Sequence, residues 1–219
     1  MSDTIRAFAG VIFDFDGTLA DSFAAITCSV NHVRGEYNLP PLPVDEVKRH
    51  VGRGAEYLLE HTVPAGNLAD KLASYRAHHP SVMLKMTHFL PGAEELLRGL
   101  HRHGKKVGLC SNKPRSFSAE LLKHFQLADV FGAVLGPEDV ASPKPAPDML
   151  LRAIDLLNLR SDQVLYIGDM LVDIQTARAA GVRVWVVPTG SEARSILEYA
   201  LPDRIVSGLG EIVAELERM

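Results

Sequence analysis

Two carboxylates, Asp14 and Asp16, end the apolar run in "VIFDFDGTLADS". Burying a carboxylate is unfavourable unless a cation or hydrogen bonds offset it, so other parts of the chain must bring partners to this point. Three segments offer them. "CSNKP" sets Ser111 and Asn112 after a second apolar run, and "SPKPAPD" frames Lys144 with three prolines that stiffen its approach. "GDMLVD" sets Asp169 after a third run, with Asp173 four residues on, one turn up the following helix. Asp14, Asp16, Asp169 and Asp173 would repel one another if brought together empty. Mg²⁺ takes a few carboxylate oxygens together with waters and substrate phosphate, so these four acids are read as its site, with Lys144 as a second positive charge.

The remaining groups suit a phosphoryl group. Ser111 and Asn112 offer hydroxyl and amide donors at a helix start, where free N–H groups favour an anion. Gly17 allows a tight turn after Asp16, so that backbone N–H groups there can point at phosphate, and Thr18 completes the same substrate-binding turn. One carboxylate can attack phosphorus while a second moves a proton. Phosphoryl transfer asks mainly for positioning and charge neutralisation.

Singly, each of these residues has an ordinary explanation as a turn, a helix cap or a surface charge; the argument rests on the four segments together. Cys110 precedes "SNKPR", but a cysteine-phosphatase loop would place its arginine one residue later than Arg115, so Cys110 is expected to be a small buried side chain. The nine histidines show no zinc spacing and are expected at the surface. Neither a Walker loop nor a "GxSxG" elbow occurs in the sequence.

Elements must position these residues. Gly10–Phe15, Val107–Cys110, Val164–Ile167 and Val182–Val187 are short β-branched runs bounded by turn-formers and read as buried parallel strands, with Val130–Leu135 a weaker fifth. Helical patterns lie between them at Gly92–Gly104, Pro114–Phe125, Ala146–Leu159 and Leu171–Gly181. The alternation predicts an α/β fold, a Rossmann-like parallel sheet with helices on both faces. Residues 21–87 break it with helical patterns alone and read as an inserted all-helical cap domain; residues 1–20 and 88–219 form the core, with hinges at Leu19–Ser22 and His88–Gly92. In such sheets ligands bind beyond the carboxyl ends of the strands, where the polar segments fall.

The 219 residues suffice for one core plus a smaller unit. A net charge of −4 gives no basic footprint for nucleic acid. Two cysteines are too few for a disulfide framework. No run approaches the roughly 18 apolar residues of a membrane span, and "MSDTIRAFAG" is unlike a signal peptide. The expectation is a cytoplasmic enzyme, monomer or homodimer, acting on a small phosphate ester without nucleic-acid or membrane partners.

"DFDGTLADS", "CSNKP", "SPKPAPD" and "GDMLVD" resemble, in order, the four motifs of the haloacid dehalogenase superfamily, and the helical insert matches that superfamily's cap. The resemblance implies Asp14 as nucleophile forming an aspartyl-phosphate, and Asp16 as general acid and then base. It further implies Ser111 on the phosphoryl group with Asn112 beside it, and Lys144 neutralising charge. Asp14, the Asp16 backbone carbonyl and Asp169 would hold Mg²⁺, with Asp173 acting through water or by holding Lys144. An aspartate at position 16 suits phosphatases and phosphomutases. Within the superfamily the chain most resembles the phosphoglycolate phosphatases, through "VGRG" and "CSNKP". That resemblance implies 2-phosphoglycolate as substrate, with Arg53 reaching its carboxylate. Phosphatases of sugar phosphates, nucleotides or pyrophosphate, a phosphomutase, and a non-enzymatic phosphate-binding module are the alternatives.

Overall fold

The structure, a computed structural model, describes residues 4–218. Strand β1 (Gly10–Phe13) is buried at every residue. It stops short of Phe15 because the chain folds back on itself. The N–H groups of Thr18, Leu19 and Ala20 all donate to the Phe15 carbonyl, and Gly17 N–H donates to Ala20 O at 2.8 Å. The chain leaves this turn through β2 (Ala20–Asp21).

Four helices follow: α1 (Phe23–Glu36), α2 (Val44–Lys48), α3 (Ala55–Thr62) and α4 (Leu68–Met86). α4 carries Pro80 inside it. Its buried residues Lys71, Tyr75, His79 and Met83 recur every four positions, a stripe packed along α1 that carries the helix through the proline. Strand β3 (His88–Phe89) then pairs antiparallel with β2, so the two expected hinges are joined as one short ribbon.

The rest alternates: α5 (Ala93–Arg102), β4 (Lys106–Cys110), α6 (Arg115–His124), β5 (Phe131–Leu135), α7 (Asp148–Leu156), β6 (Val164–Gly168), α8 (Leu171–Ala179), β7 (Arg183–Val186), α9 (Arg194–Tyr199), β8 (Arg204–Ile205) and α10 (Leu209–Glu217). Six strands form one sheet in the order β5-β4-β1-β6-β7-β8, every neighbour parallel. All five expected strands are present. β8 was not anticipated, since two half-buried residues make no apolar run.

The period of two along β1 sorts the core into two layers. Val11 and Phe13 pack with leucines of α5, α6 and α10 on one face. Ile12 packs with α7, α8 and Leu197 of α9 on the other. Both faces are covered, as a buried parallel sheet requires. Among the described residues no helix is long and apolar enough to cross a membrane.

Candidate active site

Register places the chemistry. Phe13 pairs with Leu109 on one side and Ile167 on the other, so Asp14, one residue on, emerges between the ends of β4 and β6. Ser111 and Asn112 follow β4, and Asp169 follows β6. Asp173 lies in the first turn of α8, and Lys144 lies in the loop before α7, ahead of a cis Pro145. All six are buried.

Lys144 is the hub. Its Nζ lies 3.0 Å from Asp14 Oδ1 and donates to Asp173 Oδ1 at 2.7 Å and Tyr166 OH at 3.1 Å. Asp173 Oδ2 accepts the N–H groups of Asp169 and Met170 at 3.1 and 3.0 Å. Asp173 therefore caps α8 and anchors Lys144 with the same carboxylate. The Thr18 hydroxyl donates to Asp169 Oδ1 at 2.6 Å. Gly17, at φ +88°, is needed for this approach: a Cβ there would sit 2.5 Å from Asp169 Oδ2.

The expected phosphate cradle from Gly17 and Thr18 needs correction. Their N–H groups close the turn onto Ala20 and Phe15, and the Thr18 hydroxyl holds Asp169. These two residues shape the site in place of donating into it, because a turn this tight spends its own donors.

One oxygen each from Asp14, Asp169 and Asp173 lie within 4.8 Å of one another. Burial pushes the Asp14 carboxyl up to about 6; Lys144 pulls against this and Asp173 adds to it. Burial, then repulsion from Asp173 and Asp14, holds Asp169 well above the usual carboxylate range. Burial opposes the charge on Lys144, yet Asp14 and Asp173 outweigh it and keep its pKa above the ordinary lysine value. Among the described residues Asp169 Oδ2 has no hydrogen-bond partner, and Asp14 Oδ1 has an ion pair with Lys144 but no aligned hydrogen bond. Two hard oxygens without an aligned hydrogen bond, in a cluster of three buried acids, fit a divalent cation such as Mg²⁺. Asp14 and Asp169 have oxygens to give it; Asp173 does not.

The Asp16 carboxylate stands outside that cluster. Lys113 Nζ spans its two oxygens at 3.0 and 3.2 Å, and the Ser22 hydroxyl donates to Oδ1. The Ser111 hydroxyl accepts Lys113 N–H at 3.3 Å and lies near enough to Asp14 to favour its charged form. Lys113 follows Ser111 and Asn112 at the strand end but carries no role in the sequence reading, and neither do Ser22 and Tyr166. Lys113 had a signal: Asp16 needed a cation, and Lys144 was already claimed by Asp14.

A cavity of about 40 Å³ opens on Asp14, Asp16, Ser111, Asn112 and Lys113. Its opposite wall comes from the helical segment: Ile26, Val51, Gly52, Gly54, Ala55, Leu58 and Tyr75. On this measure it holds roughly three water molecules. Arg53 is exposed, with its guanidinium 5.1 Å from the Tyr57 ring centre, and does not line the cavity. Gly52 and Gly54, at φ +104° and +93°, turn backbone toward the site on either side of it.

Two further expectations meet different fates. Cys110 is fully buried, its Sγ 3.4 Å from Met149 O, and burial raises its thiol pKa, so it is a packing residue. His79 is buried in place of exposed, because it falls on the α4 stripe, which a search for zinc spacing does not test.

Residues 11–187 match the family model of the haloacid dehalogenase-like hydrolases, and the chain belongs to that family. It is a phosphoric monoester hydrolase, phosphoglycolate phosphatase-like in sequence. A phosphoglycolate phosphatase of Rhodospirillum rubrum is 38% identical over 82% of this chain and 79% of that protein. One from Cereibacter sphaeroides is 35% identical over 80% of this chain and 82% of its own length. Among solved structures, a haloacid dehalogenase-like hydrolase from Bacteroides fragilis superposes with a TM-score of 0.88 at 32% identity, covering 94% of this chain and 99% of that one.

Proposed function

We propose that this enzyme is a Mg²⁺-dependent phosphatase of small phosphate monoesters that works through an aspartyl-phosphate on Asp14, with 2-phosphoglycolate as its preferred substrate. Residues 21–87 act as a cap over a core of residues 1–20 and 88–219. The observation that carries the reading is the division of labour between two aspartates two residues apart. Asp14 shares Lys144 with Asp173 and faces the cavity, while Asp16 has its own lysine on the other side.

Asp14 attacks phosphorus, and the phosphorus–oxygen bond to the leaving group breaks. Asp16, held by Ser22 and Lys113, gives its proton to the departing oxygen. Asp16 then takes a proton from water, which attacks phosphorus and frees Asp14. Ser111 and Lys144 hold the phosphoryl oxygens and offset charge on Asp14. Bound by Asp14 and Asp169, with the Asp16 carbonyl as third ligand, Mg²⁺ would supply charge neutralisation for the phosphoryl group. The cavity on Asp14 and Asp16, walled by the helical segment, supports a small ester as substrate. The similarity to phosphoglycolate phosphatases supports the particular ester.

Phosphate release from a panel of small esters, with Mg²⁺ and with EDTA, tests this. The expected result is metal-dependent release with 2-phosphoglycolate favoured about a hundredfold in kcat/KM, or about 3 kcal/mol in the transition state. Asp14→Asn should lose at least about 10⁴-fold in kcat while still folding. A broad Mg²⁺-dependent profile would overturn the substrate, and full activity in Asp14→Asn would overturn the mechanism.

A further inference from the structure

Asn112 was expected beside the phosphate. Its side chain is instead occupied by backbone on two sides. Nδ2 donates to Lys144 O at 3.1 Å and to Gly52 O at 3.0 Å, while Oδ1 accepts Lys144 N–H at 3.1 Å. Two of these bonds clamp the peptide that carries the catalytic lysine. The third reaches across to the loop between α2 and α3. Asn112 is buried, so any of these groups left unpaired would carry the full desolvation penalty.

The same loop residue touches the other catalytic strand end. Gly52 packs so closely on Met170 that a Cβ would lie 2.3 Å from its Sδ. Met170 follows Asp169 directly, and its N–H is one of those held by Asp173. The seat of Gly52 is thus made of the Lys144 clamp and the Asp169–Asp173 turn together.

We propose that Asn112 is a positioning residue that couples docking of the helical segment to placement of Lys144. With Gly52 seated, both N–H groups of the Asn112 amide have acceptors and the amide plane is fixed, which fixes the Lys144 peptide. With Gly52 withdrawn, one donor loses its acceptor and the amide is free to rotate away from Lys144. Coupling of this kind is reciprocal, so a correctly placed Lys144 favours docking. Lys144 is thereby fully set only when the segment is down and water is excluded from the site. The inference rests on the cap reading of residues 21–87.

A double-mutant cycle of Gly52→Ala and Asn112→Ala tests the coupling. The readouts are hydrogen exchange of the Lys144 amide and turnover of a small aryl phosphate. Gly52→Ala places its Cβ against Met170 and lifts the helical segment from its seat, so it should speed exchange of the Lys144 amide by about tenfold. Each single variant should lower kcat by about tenfold with KM within about threefold, and the double variant should be no worse than the weaker single by more than about twofold. Wild-type protection of Lys144 in Gly52→Ala, losses that multiply in the double variant, or an Asn112→Ala defect confined to KM would each overturn the proposal. If Asn112→Ala does not fold, Asn112→Asp takes its place in the cycle. It keeps the acceptor for Lys144 N–H and sets a carboxylate against the Gly52 carbonyl. The exchange measurement needs no substrate, so failure to hydrolyse any ester would count against the phosphatase reading and leave the coupling to be judged by itself.

Discussion

The strand-end wall of the cavity presents Asp14, Asp16, Ser111 and Lys113, each held by a partner from another loop or strand. The helical wall presents Gly52, Gly54, Ala55, Leu58 and Tyr75. Tyr75 is its one hydroxyl on a large side chain, and that hydroxyl makes no hydrogen bond to another described residue. The first wall is a set of charged and polar groups, which under the proposed function would stabilise a reacting phosphoryl group. The second is shape, backbone and one unspent donor. Under the proposed function, the charged side of the cavity would carry the chemistry and the helical side the choice of substrate.

If that contrast is right, the strand-end wall breaks hardest. Lys144→Met would leave Asp14 and Asp173 buried without their cation. Such a deletion costs about 3–5 kcal/mol, read as a shift in the urea midpoint at neutral pH. The loss should shrink as pH falls toward about 6, because without Lys144 to pull it down the Asp14 carboxyl takes up its proton at a higher pH than in wild type. A variant as stable as wild type at pH 7.5 would mean that the cluster is neutralised by something other than Lys144.

On the helical side the largest expected effect is on acid stability. Burial, then repulsion from Lys113 and His78, lowers the His79 pKa to about 2 from an ordinary 6.5. The unfolded chain binds this proton and the folded one does not, so stability present above about pH 6.5 is lost as pH falls toward 2. The slope is about 1.4 kcal/mol per pH unit at most. His79→Phe keeps a ring beside Tyr75 and Phe117. It should lose about 2 kcal/mol less than wild type between pH 7 and pH 5. Equal losses would place the acid sensitivity elsewhere.

The smallest effect sharpens the comparison most. Tyr75→Phe removes only the hydroxyl of this cavity-lining side chain. Unfolding should move by less than about 0.5 kcal/mol, while KM for the preferred ester rises about tenfold with kcat little changed. A fall in kcat at constant KM would instead place Tyr75 with the catalytic wall.

Much of the site was legible in the sequence for a physical reason. Asp14, Ser111 and Asp169 lie directly after buried parallel strands, and such strands deliver their carboxyl ends to one edge of the sheet whatever the order of pairing. Strand periodicity and turn chemistry are local, so they can be read along the chain. Arg53 was less legible because a glycine-flanked loop can present either its side chain or its backbone. β8 was missed because its two residues are strands only by virtue of pairing with β7.

By itself, then, the sequence determined the α/β core, the helical interruption and the acids, lysine and serine that meet at the sheet edge, because hydrophobic period and strand ends are properties of short segments. Only the tertiary structure decided who partners whom. Lys113 goes to Asp16 and Lys144 to Asp14 and Asp173. Thr18 turns to Asp169, Asn112 clamps Lys144 and receives Gly52, and Tyr75 reaches the cavity from α4. Those choices join residues dozens of positions apart, and they are settled by which buried charges and donors can be satisfied together, a condition that no local pattern contains.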